Sequence, residues 1–90
     1  MDKKKALEIL KNDGHENIVL IEKDANYFLD RHSHDFNVDI IIITGTFEIE
    51  LSNSNIILFP GSRLKLIKGE VHSEKAGSEG VSFLSARPSV

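Results

Sequence analysis

The chain has 90 residues, 40% apolar and 28% charged, with a net charge of −3 spread over both signs and no cysteine. Such a composition fits a single ordinary globular domain, one that at this length buries only about 60–65% of its unfolded surface, so a partner subunit or a metal is expected to add stability. The absence of cysteine excludes disulfides, thiolate zinc sites and a cysteine nucleophile, and the acidic balance, with Lys3-Lys4-Lys5 as the single basic cluster, argues against a dedicated nucleic-acid binder.

Residues 3–12 place Ala6, Leu7, Ile9 and Leu10 among charged neighbours at helical spacing, and Asp13-Gly14 follows where a left-handed helix end would sit. One short amphipathic helix is predicted there. Beyond Gly14 the period changes to two and the apolar residues become β-branched, which predicts seven or eight short strands: 18–21, 27–29, 38–44, 46–51, 56–59, 64–67, 71–75 and 81–86. Turn formers separate them, among them Thr44-Gly45-Thr46, Pro60-Gly61, Lys68-Gly69-Glu70 and Gly77-Ser78-Glu79-Gly80. Strands recurring with no helix between them predict an all-β, antiparallel sandwich or barrel. A single domain over 1–90 is expected, with the helix in 1–14 and the barrel in 15–90.

The longest apolar run, Ile40 to Ile43, is far shorter than the ~20 residues that cross a bilayer, and the start MDKKKALEIL lacks a secretory hydrophobic stretch. A cytoplasmic protein without a membrane partner is expected.

Three of the four histidines form a pattern. His32 and His34 are two apart, so on an extended strand both side chains leave one face. Asp39 follows at the mouth of the next apolar strand, and His72 opens a later one. Two or three imidazoles with one carboxylate suit Fe(II), Mn, Ni, Cu or Zn. For Asp39 the alternative is a turn cap accepting backbone N–H bonds. Glu74 lies two residues past His72 and faces inward if the strand continues regularly, where it could act as a general base; a bulge would instead turn it into solvent. His15 is expected to be a solvated loop residue. Arg63 and Lys65 are expected at the surface, and Phe28, Phe36, Phe47, Phe59 and Phe83 as barrel filling.

His32-Ser33-His34, then Asp39 and Gly45, resembles the first motif of the cupins, in which H-x-H precedes a carboxylate and a glycine. Gly61, five residues, Ile67-Lys68-Gly69, two residues and His72 resembles the second. Asn26, Asp39, Ile67 and Ala76 depart from the usual glycine, glutamate, proline and asparagine. The resemblance implies a small cupin-type barrel or jelly roll with a divalent metal held by His32, His34, Asp39 and His72. It implies no single reaction, since cupins include oxygenases, isomerases, storage proteins and sensors. Two functions follow as expectations: a metal-dependent enzyme acting on a small polar molecule, as an oxygenase or isomerase, or a non-catalytic small-molecule-binding module.

The three histidines are expected to converge on one metal. A homodimer is also expected, because the run Ile18-Val19-Leu20-Ile21 is apolar on both faces and needs two covers. The amphipathic helix is the alternative source of the second cover.

Overall fold

A computed structural model describes residues 1–88, with one helix, α1 (Lys3–Asn12), and six strands among them: β1 (Asn17–Lys23), β2 (Phe28–His32), β3 (Val38–Glu50), β4 (Asn55–Leu58), β5 (Arg63–Leu66) and β6 (His72–Arg87). The Asp2 carboxylate caps α1 by accepting from the Lys4 N–H at 3.1 Å. The helix ends at Asp13, before Gly14 at φ +93°, the left-handed residue that closes helices of this kind.

Two long strands replace four of the predicted short ones. The chain passes through Thr44-Gly45-Thr46 and through Gly77–Gly80 without leaving the sheet, and the register between β3 and β6 shifts on both sides of Gly45. Gly45 and Gly80 both hold positive φ, and a Cβ on Gly45 would run into the Gly80 carbonyl. The glycines therefore mark bulges where two backbones approach closely, not strand ends.

All pairings are antiparallel, and β3 and β6 run side by side through the bend. On one arm β6 pairs with β2 and β3 with β4; on the other β6 pairs with β1 and β3 with β5. The arms fold towards each other over one apolar core, in which Phe47 of the first and Phe83 of the second stack at 4.9 Å between centroids. The result is an antiparallel, barrel-like fold with one short N-terminal helix, as expected, although the sheet does not close on itself.

Alternation along β3 sorts its residues between two environments. Val38, Ile40 and Ile42 face the inner core, whereas Ile41 and Ile43 pack with Leu84 and Ala86 against Ala6 and Leu10 of α1. The unbroken isoleucine run thus reflects a strand covered on both faces. On β1, Ile21 packs against the inner core and Ile18 under the helix, while Val19 and Leu20 remain exposed. The helix therefore supplies part of the second cover that β1 needs. Phe28 and Phe59 do not fill the barrel, being 59% and 56% exposed. Phe28 pairs with Lys75 on the outward face of the sheet, whereas its neighbour Leu29 pairs with Glu74 on the inward one.

Candidate metal centre

His32, the last residue of β2, lies directly opposite His72, the first of β6. A register shift between Leu29 and His32 sets this pairing. His34 follows in the segment leading to β3, and the Gly69 N–H donates to its carbonyl at 2.9 Å. Nearby, the Lys68 N–H donates to the Asn37 side-chain oxygen at 2.8 Å. These two bonds fasten the turn before His72 to the segment carrying His34. Gly69 holds φ +83° there, so the left-handed turn forms with Ile67 in the position where cupins usually have proline.

The imidazoles converge. Ring centroids are 4.3 Å apart for His32 and His72, 5.1 Å for His32 and His34, and 5.3 Å for His34 and His72. Glu74 joins them: each of the four side chains offers one ligand atom, and these atoms all lie within 4.8 Å of one another. Such a spread needs only a small contraction to surround one ion at ~2.0–2.2 Å.

Hydrogen bonding fixes which nitrogens face inward. His32 Nδ1 lies 2.8 Å from the Asp30 carbonyl and His72 Nδ1 3.1 Å from the Glu70 carbonyl. A carbonyl oxygen only accepts, so each Nδ1 carries a proton and Nε2 is the ring atom left to face the other side chains. Glu74 Oε2 lies 3.3 Å from Nε2 of His72 and 3.4 Å from Nε2 of His32. His32 Nε2 is buried without a hydrogen-bond partner among the described residues. Two Nε2 atoms turned to one carboxylate oxygen call for a cation among them, either a proton on a ring or a metal ion. The donor set therefore fits a divalent metal. Burial lowers the His34 pKa, and the neighbouring His32 and His72 lower it further, which keeps a third imidazole in its metal-binding form.

Asp39 is not part of this group. It shares its side of β3 with Ile41 and Ile43, towards the helix, and is 4% exposed. Arg63 donates to it from Nε at 2.9 Å and from Nη2 at 2.6 Å, and His15 Nε2 lies 3.0 Å from its second oxygen. Burial acts to raise its pKa, but the bonds from Arg63 and His15 outweigh burial and hold the carboxyl below the usual carboxylate value. Arg63 also pairs with Asp13 and is held well above its ordinary pKa, first by Asp39 and then by Asp13. The expectations of Asp39 as a ligand and His15 as a solvated loop residue are thus corrected together, and Arg63, expected at the surface, is partly exposed and ion-paired. The three form one ion-paired cluster between the end of α1, β3 and β5. Glu74, by contrast, turns inward: its side chain is 16% exposed and lines the same cavity as His32 and His34.

That cavity measures about 190 Å³ and lies between the two arms of the sheet. Its wall is mainly apolar, from residues such as Ile21, Leu29, Val38, Phe47 and Phe83, with Lys23, Tyr27, Ser85 and Arg87 as further polar members. Burial raises the Tyr27 pKa and the Glu74 charge adds to the effect, so its phenol stays protonated. Sequence reasoning passed over these four residues. Strand alternation carries a signal for two of them, since Ser85 and Arg87 continue the inward parity of Phe83 along β6.

No family model and no curated protein sequence matches the chain. Solved structures do. A cupin-2 domain protein from Shewanella frigidimarina aligns with a TM-score of 0.67 at 24% identity, over 79% of this chain and 69% of that one. A cupin superfamily protein from Desulfitobacterium hafniense gives a TM-score of 0.70 at 18% identity, over 82% and 67%. The polyketide cyclase RemF from Streptomyces resistomycificus gives 0.69 at 24% identity, over 87% of this chain and 58% of that one. At these identities the likeness is one of fold.

Proposed function

Taking the chain as a small domain of cupin fold, we propose that it binds a divalent metal through His32, His34, His72 and Glu74 and acts on a small polar molecule in the adjoining cavity. The observation that carries this reading is the convergence of His32, His34, His72 and Glu74, whose ligand atoms all lie within 4.8 Å of one another, with Nδ1 of His32 and of His72 each committed to a carbonyl. A bound divalent ion supplies Lewis-acid polarisation and a template for substrate oxygens, the chemistry that isomerases and non-haem oxygenases use. The chain's own part is to fix the ligand rings, exclude water with the apolar wall and present the protonated Tyr27 hydroxyl as a hydrogen-bond donor. A polyketide cyclase among the proteins of similar fold supports the enzyme reading.

One feature favours binding without turnover as the second reading. With Glu74 engaged at the metal, the cavity keeps no carboxylate among the described residues free to act as a general base.

Elemental analysis of the purified protein should find close to one divalent ion per chain, and His72→Ala should remove it. A wild-type protein that neither retains nor takes up stoichiometric metal would overturn the proposal. Oxygen consumption or product formation with small thiols, diketones and diols separates the enzyme from the binding module. We further propose the homodimer, formed at the free edge of β1, where Val19 and Leu20 are exposed. Sedimentation equilibrium at micromolar concentration should give the mass of two chains; a single-chain mass independent of concentration would reject it.

A further inference from the structure

The chain has three arginines. Arg31 pairs with Glu50 at 3.3 Å, and Arg63 with Asp13 and Asp39. Arg87, on the cavity wall at the end of β6, pairs with no carboxylate among the described residues, and its Nε is buried without an acceptor. A guanidinium with a buried, unused donor is costly unless something accepts from it. Its position relative to the metal centre is bounded. The guanidinium carbon lies 5.9 Å from the Phe36 ring centroid and that ring 5.4 Å from His34, legs that put Arg87 within about 11 Å of the His34 imidazole.

Charge points the same way. Lys23 and Arg87 on the cavity wall face a single carboxylate, Glu74, so the cavity is positive by one unit before a divalent ion adds two more. Lys23 lies 4.6 Å above the Tyr27 ring and Arg87 5.9 Å above that of Phe36, but a ring contact uses only the face of a guanidinium, so Arg87 still presents a planar fork matched to a carboxylate. The volume of about 190 Å³ is below the ~300–1,000 Å³ of pockets for drug-sized ligands, and the wall between the two charged ends is apolar.

We propose that the cavity takes a small monocarboxylate with a short apolar body, its carboxylate on the Arg87 guanidinium and its other end towards the His32, His34, His72 and Glu74 cluster. Only the placement of the far end rests on the metal-binding proposal; recognition by Arg87 does not require the ion.

The probes are butyrate and its neutral isostere butyramide, with inorganic phosphate as a competitor. Binding is followed by amide chemical shifts of Ser85 and Arg87, in the protein both without metal and with Zn(II). Butyrate should bind at least about tenfold more tightly than butyramide, the difference expected of one charge-assisted, bidentate pair. In Arg87→Gln that preference should vanish, and in Arg87→Lys, which keeps the charge without the fork, it should fall by severalfold. Calorimetry should show that both variants bind Zn(II) no more weakly than wild type. Equal binding of the two probes, a preference that survives Arg87→Gln, or displacement by phosphate as strong as by a second carboxylate would each overturn the proposal. A silent Zn(II) titration with the butyrate preference intact would sink the metal reading and leave this one standing.

Discussion

Glu74→Gln should weaken divalent-metal binding by about 100-fold or more, whereas Asp39→Asn should leave it within about a factor of two. The two carboxylates lie on opposite sides of the sheet. Glu74 Oε2 is 3.3–3.4 Å from the inward nitrogens of His72 and His32. Both Asp39 oxygens are taken by Arg63 and His15. Glutamine keeps the size of Glu74 but removes the negative charge that balances the ion and places an amide dipole before it, so the loss is electrostatic rather than steric. Calorimetric titration of Zn(II) or Co(II) into each variant decides the matter. A reversed order, with Asp39→Asn the weaker binder, would return the ligand role to Asp39 and require β3 to turn over.

The histidines were legible in the sequence because a two-residue spacing and a glycine turn before His72 are local signals, and the fold keeps both. Asp39 is misread as the ligand carboxylate because its spacing from His34 carries no sign of the strand's parity. Val38, Ile40 and Ile42 had to face one way and Ile41 and Ile43 the other; Asp39 goes with the second set, and only the position of α1 shows that this second face is buried rather than wet. Seven or eight short strands become six for a related reason. Gly45 and Gly77–Gly80 have the composition of turns, yet the close approach of Gly45 to the Gly80 carbonyl uses them as bends within continuous strands, at a shift in register. A single chain read residue by residue carries no sign of which glycine meets which. Arg87 is hidden in the same way, since its lack of a carboxylate partner among the described residues depends on what the other strands place around it.

Asp39→Ala should lower stability by about 2–3 kcal/mol, which in a domain of this size is roughly 10–20 °C in Tm. The substitution leaves Arg63, with 28% of its side chain exposed, and His15 without the acceptor they share, while Asp13 remains to Arg63 and holds the loss below that of a fully buried pair. Replacing both partners by apolar residues, Asp39→Leu with Arg63→Met, should cost less than the sum of the single changes, because no unpaired charge is then left behind. The pH dependence carries the same signature. The folded Asp39 carboxyl titrates below its unfolded value of 3.8, so its contribution is complete above that pH and is lost as the pH falls from 3.8 through the folded value. Chemical denaturation of the metal-free protein between pH 3 and pH 6 should therefore show a steeper acid loss in wild type than in Asp39→Asn. Because no metal is present in that measurement, the difference reports the cluster between α1, β3 and β5 and not His32, His34 and His72. A single-variant loss under ~0.5 kcal/mol, or identical acid profiles, would show that the cluster positions the helix without stabilising it.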